Sequence, residues 1–151
     1  MFSKATEYAL RATIYIAQKS SEENKLSITE IAKAIGSPQS FTAKIMQLLT
    51  RDLRVVSAVR GPNGGFYISE KSKNLPVRAI LEAMGEEHVL DKCVMGLKQC
   101  SETQPCPMHS KYKVIRQQLI KLFVDKTIRQ LSSEIKDGVV FVHQGKKGKK
   151  I

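Results

Sequence analysis

The chain has 151 residues with 42% hydrophobic content, enough for one compact domain with an extension, and its formal net charge is +11. It offers no apolar run of about 18 residues to cross a bilayer, and its first residues lack the charged-then-apolar layout of a signal peptide, so a cytoplasmic protein without a membrane partner is expected. The basic excess is spread along the chain rather than confined to the "GKKGKKI" end, and it points to an anionic partner, nucleic acid first.

"SKATEYALRATIYIAQKS" sets Ala5, Tyr8, Ala9, Ala12, Ile16 and Ala17 at helical spacing, which predicts a packed first helix. Residues 27–30, "SITE", spell a capping box in which the Ser27 hydroxyl takes an amide proton and Glu30 reaches back. Ile28, Ile31, Ala32 and Ile35 then form one stripe, and Gly36 can take the left-handed stop. Ser37 as N-cap and Pro38 in the first turn open the next helix, with Phe41, Ile45, Leu48 and Leu49 inward. Two short helices across a tight turn predict a helix-turn-helix. "VVSAVR", "GPNGG" and "FYIS" follow as strand, turn and strand, the order of a wing.

"LPVRAILEAM" predicts a helix from Pro76 with Val77, Ile80, Leu81 and Met84 on one side. A stretch without periodicity comes next. From Ser110 a long amphipathic helix carries Tyr112, Ile115, Leu119, Leu122 and Phe123, then Val124, Ile128, Leu131 and Ile135 in a second register after a break at 125–127. The expected fold is mainly α with a small β-hairpin: a winged helix-turn-helix domain over 1–84, a Cys-rich loop over 85–109, a long helix over 110–138 and a disordered basic tail over 139–151.

On this reading the second helix of the pair enters the major groove of a double-stranded DNA operator. Gln39, Ser40, Thr42 and Lys44 would face base edges, with Gln47 and Arg51 on the flanks. Gln can bond adenine bidentately and Lys can reach guanine, each good pair giving roughly 1–3 kcal/mol of discrimination. Arg60 at the base of the wing and Asn63 near its tip would reach phosphates or a minor groove, with Lys4, Arg51 and Lys71 as further phosphate contacts.

Every cysteine lies in "CVMGLKQCSETQPCPMH", spaced C-x6-C-x5-C-x2-H over Cys93, Cys100, Cys106 and His109. Clustered thiols in a reducing compartment suit metal binding or redox work better than disulfides. Thiolates are soft ligands for zinc, copper or iron–sulfur clusters. Gly96 and Pro105 let the segment wrap an object larger than one ion, and a single zinc ion with three Cys and one His also fits. A phosphate-cradling loop, a Ser/His/Asp set and paired carboxylates near His109 are all missing, so no enzyme is expected.

"TEYALRA", "ITEIAKAIGSP", "VVSAVRGPNGGF" and the three-cysteine loop ending "CPMH" together make the chain resemble the winged-helix regulators of the Rrf-two superfamily, with its IscR-type and NsrR-type iron–sulfur members. The resemblance implies a homodimeric transcriptional regulator, a repressor, dimerising through the long C-terminal helix and controlled by a cluster on Cys93, Cys100 and Cys106. It offers two fourth ligands: His109, as in IscR-type members with a 2Fe-2S cluster, or Glu7 from the partner subunit, as in NsrR-type members with a 4Fe-4S cluster. His109 and 2Fe-2S are preferred here. The resemblance also makes Arg60 a minor-groove arginine and Ser40 a recognition-helix contact. Three departures stand out. Arg54 replaces a usual Gly before the wing, Ala43 replaces a base-reading Glu of some members, and the first cysteine gap is one residue longer than in the IscR-type pattern.

Overall fold

The computed structural model describes residues 1–51, 54–135 and 142–144. The tail expected over 139–151 therefore lies outside the described residues except at 142–144.

Helix α1 (Lys4–Lys19) starts where the Ser3 hydroxyl accepts the Thr6 N–H at 3.2 Å, and it buries Thr6, Ala9, Ala12, Thr13, Ile16 and Ala17. The buried Thr13 hydroxyl donates to the Ala9 carbonyl at 2.8 Å, so its burial leaves no unpaired donor. Both halves of the predicted capping box open α2 (Ile28–Ile35): Ser27 Oγ accepts the Glu30 N–H at 3.2 Å and Glu30 Oε2 accepts the Ser27 N–H at 2.7 Å. Gly36 closes α2 in the left-handed region at φ 68°, as its sequence position predicts.

Helix α3 (Gln39–Leu49) differs from expectation in two respects. Its cap is Pro38 and makes no side-chain bond, while Ser37 donates to the Pro38 carbonyl at 3.4 Å instead of capping. Its buried face is Thr42, Ile45, Met46 and Leu49, with Phe41 and Leu48 half-buried. Phe41 instead stacks edge-on against Tyr8 at 5.7 Å.

Strands β1 (Ser57–Val59) and β2 (Gly65–Tyr67) pair antiparallel with Ala58 opposite Phe66. Leu26 adds a third rung, its N–H and C=O bonding Phe66 at 2.9 and 2.8 Å. The turn needs its glycines: a Cβ at Gly64 would sit 2.2 Å from the Val59 carbonyl oxygen, and one at Gly65 would sit 2.7 Å from the Leu26 carbonyl oxygen. Arg54, standing where the turn before the wing would favour Gly, is tied down at both ends. Its guanidinium pairs with Glu82 at 2.8 Å and its carbonyl accepts the Ser72 hydroxyl at 2.7 Å.

Two short helices, α4 (Glu70–Lys73) and α5 (Arg78–Ala83), lead to a 3₁₀ turn at Glu87–Asp91. Helix α6 (His109–Asp125) follows the Cys-rich loop, and α7 (Ile128–Ser133) follows the predicted break. The long helix is thus two helices, with Thr127 and Gln130 forming a second capping box at the start of α7. The break is itself hydrogen-bonded into the winged domain: the Val77 N–H reaches Lys126 O at 2.9 Å and the Ile128 N–H reaches Leu75 O at 3.0 Å. Arg129 adds bonds to Asn74 and Glu70.

The core gathers Ile16, Ile31, Ile35, Ile45, Leu49, Ile68, Ile80, Leu81, Leu90 and Ile128 around α1. Each such side chain contributes roughly 1.5–3 kcal/mol through removal from water. Among the described residues no helix is long and apolar enough to cross a membrane.

Candidate nucleic-acid interface and metal centre

On α3 Ser40, Lys44 and Gln47, and just past its end Arg51, follow one another at intervals of three or four residues, and all four are exposed, as is Gln39. Gln39 also accepts from the Thr29 hydroxyl at 3.4 Å, linking the two helices of the motif. Arg60 and Asn63 on the wing are exposed too. Thr42 is not part of this surface. It is 0% exposed and its hydroxyl donates to the Pro38 carbonyl at 2.9 Å, so the expected base contact is corrected to a core residue that satisfies the first turn of α3. Lys4 and Lys71 are exposed, as phosphate contacts must be.

The Cys-rich segment emerges from the 3₁₀ turn and ends in the first turn of α6. All three cysteines are free. Cys93 is buried, and its thiol is held below the ordinary value first by the Leu97 N–H and next by the Met95 N–H, against the opposing effect of burial; the Cys106 side chain adds a smaller push the same way. The turn that aims these amides closes through a Gly96 N–H bond to Cys93 O at 3.0 Å, with Gly96 at φ 76°.

His109, the first residue of α6, is 7% exposed. Its Nδ1 lies 3.2 Å from Cys100 Sγ. Its Nε2 lies 3.3 Å from Glu102 Oε2, a hydrogen-bond distance without the alignment, so this buried nitrogen has no aligned partner. Lys113, one turn further along α6, pairs with the other oxygen of Glu102 and is the main reason that carboxyl sits below its usual range. Glu102 was not singled out by the sequence; only its place between two ligand candidates marks it.

The segment therefore sets Cys100 beside His109 at 3.2 Å, and it brings Cys106 near enough to Cys93 to help lower that thiol's pKa. Among the described residues no group of three or more His, Cys, Asp and Glu is gathered closely enough to hold a single metal ion. The donors still suit a soft centre: three free thiols, one of them held below its ordinary pKa, and a buried imidazole with an unsatisfied nitrogen. Glu7 stands apart on α1, exposed and 3.5 Å from Lys4.

The comparisons agree with this architecture. A family profile described as Rrf2, iron-dependent transcriptional regulator, matches residues 2–134. An HTH-type transcriptional regulator of Aquifex aeolicus (strain VF5) is 32% identical over 133 residues, spanning 87% of this chain and 90% of its own length. The HTH-type transcriptional regulator NsrR of Oceanobacillus iheyensis is 28% identical over 121 residues, spanning 80% of this chain and 79% of its own. Among solved structures, CymR (YrzC), the global cysteine regulator of B. subtilis, superposes with a TM-score of 0.73 at 18% identity over 90% of this chain and 98% of that one, which shows a shared fold. The chain belongs to the Rrf2 family of transcriptional regulators.

Proposed function

We propose that this regulator is a cytoplasmic, homodimeric repressor, without enzymatic activity, whose grip on a double-stranded DNA operator is set by an iron–sulfur cluster on Cys93, Cys100, Cys106 and His109. The observation that carries the reading is the arrangement of donors in two pairs at the head of α6. Each iron of a 2Fe-2S cluster takes two protein ligands, whereas each iron of a 4Fe-4S cluster takes one, so paired donors favour the smaller cluster and His109 over Glu7 of the partner subunit. When bound, such a cluster supplies a centre whose charge or integrity responds to iron supply, oxygen or nitric oxide.

The chain's own residues provide the linkage. His109 starts α6, so ordering the 93–109 loop fixes the start of that helix. About 25 Å away, at 1.5 Å per residue, the other end is fastened by the bonds of Lys126 and Ile128 to Val77 and Leu75. Between these ends Ile115 and Leu122, seven residues apart and so on one side of the helix, are exposed, an apolar edge that suits a second copy of the same helix. A change in the loop alters how two copies of α6 cross, and hence the separation of two recognition helices. Half-sites on DNA must match that separation, so a small change weakens both contacts together. A coupling of about 1–3 kcal/mol gives roughly 5–150-fold control.

The test is anaerobic purification followed by iron and sulfide analysis and operator binding of loaded and stripped protein. Visible absorbance, near two irons per chain, and an affinity that differs between the forms are expected. A colourless protein with one zinc per chain, or with thiols whose oxidation alone sets affinity, would replace the cluster by zinc or thiol sensing. Full cluster loading with no binding to its own promoter region would turn the chain into an iron–sulfur carrier.

A further inference from the structure

A histidine can present either ring nitrogen to a metal, and the choice is set by the hydrogen bond that the other nitrogen makes. In this chain the two nitrogens of His109 face different groups. Nδ1 faces Cys100 Sγ at 3.2 Å, and Nε2 faces Glu102 Oε2 at 3.3 Å with no other partner. We infer that Glu102, held by Lys113, is a positioning residue for His109: it takes the Nε2 side of the ring and leaves Nδ1, beside Cys100, as the nitrogen presented to a cluster.

The inference deepens the reading above and rests on it for the identity of the group that Nδ1 would meet. A carboxylate whose side chain is 65% exposed would not hold a fixed place by itself. Lys113 supplies the restraint. It lies four residues after His109, on the same side of α6, and takes Oε1 while Oε2 remains for the ring. One carboxylate thus bridges two residues of a single helix face to the loop between Cys100 and Cys106. Rotation of this exposed side chain would bring Oε2 into line with the ring N–H. An anionic partner at that N–H also strengthens the ring as an electron donor at its other nitrogen.

The experiment uses the full chain with ¹⁵N-labelled histidine, first cluster-free under reducing, oxygen-free conditions, with the tautomer of His109 read from long-range ¹H–¹⁵N correlations. Wild type should carry its proton on Nε2. Glu102→Ala should turn this into a mixture, Lys113→Ala should weaken the preference in the same direction, and Glu102→Gln, whose amide oxygen still accepts, should keep it. After reconstitution with iron and sulfide, Glu102→Ala should hold iron about 10- to 100-fold less tightly against a competing chelator. The cluster it retains should have a higher reduction potential, because the ligand has lost its anionic partner. A proton on Nδ1 in wild type, or a tautomer and a potential that Glu102→Ala leaves unmoved, overturns the inference. Wild type that shows the expected tautomer and its loss in Glu102→Ala but takes up no iron supports the placement of Glu102 while overturning the cluster reading, so the two fail separately.

Discussion

The DNA-reading head and the arm built from the Cys-rich loop and α6 solve the problem of apolar surface in opposite ways. In the head, Ile16, Ile31, Ile35 and Leu49 are 0% exposed. Along the arm, Val94, Met95, Leu97, Met108, Val114, Ile115, Leu122 and Val124 are 45% to 59% exposed. The head completes its core from its own chain, whereas the arm leaves apolar side chains that the described residues do not cover. Near Phe123, which meets Phe2 edge-on at 5.5 Å, the two regions join. Stability therefore resides in the head, and the dimer proposed above would form along the arm.

The contrast is broken most forcefully by charging the arm. Ile115→Lys with Leu122→Lys should shift the protein to monomer in sedimentation, and losing simultaneous half-site contact should lower operator affinity by about 10²–10⁴-fold. A variant that stays dimeric would mean that α6 is not the seam. Truncating the head comes next. Ile16→Ala should cost about 2–5 kcal/mol in denaturant unfolding. The same deletion at Ile115, measured in a Leu122→Lys background, should stay within about 0.5 kcal/mol. Equal costs at the two sites would erase the distinction between head and arm.

A finer comparison lies within α3. Lys44→Ala should cost roughly 1–3 kcal/mol in operator binding if it reads a base, whereas Thr42→Val should lower folding stability and leave the ranking of operator sequences unchanged. A changed ranking for Thr42→Val would return that residue to the interface. The smallest effect is expected at the cap of α2, where Ser27→Ala should cost about 1 kcal/mol in thermal unfolding without changing the iron content.

The parts that were legible in the sequence are those with local signals. The box at 27–30, the stop at Gly36, the glycine turn of the wing and the break at 125–127 each follow from a few adjacent residues, and each is present. What escaped depends on partners distant in sequence or on side chains that behave against type. Thr42 reads as polar and therefore outward, yet a bond to its own first turn lets it go inside. Met46 took the place expected of Leu48, since the buried stripe of α3 runs through Thr42, Ile45, Met46 and Leu49. The fastening of Lys126 and Ile128 to Val77 and Leu75 joins segments that no periodicity connects. In the loop the residue types announced soft-metal chemistry, but the pairing of the donors and the place of Glu102 follow from a backbone path that spacing does not encode.

The third rung at Leu26 has an implication for how such a regulator can change. Leu26 bonds Phe66 through both its backbone groups, and the very next residue caps the first helix of the reading motif. Hairpin and helices are thereby welded into one stiff tool, with Gly64 and Gly65 leaving no slack at the weld. On the proposed reading, a signal would then reach DNA through a turn of the arm rather than through a bend within the head. If the arm carries the sensing chemistry proposed above, that chemistry and the choice of operator lie on separate elements, and a substitution in one need not disturb the other.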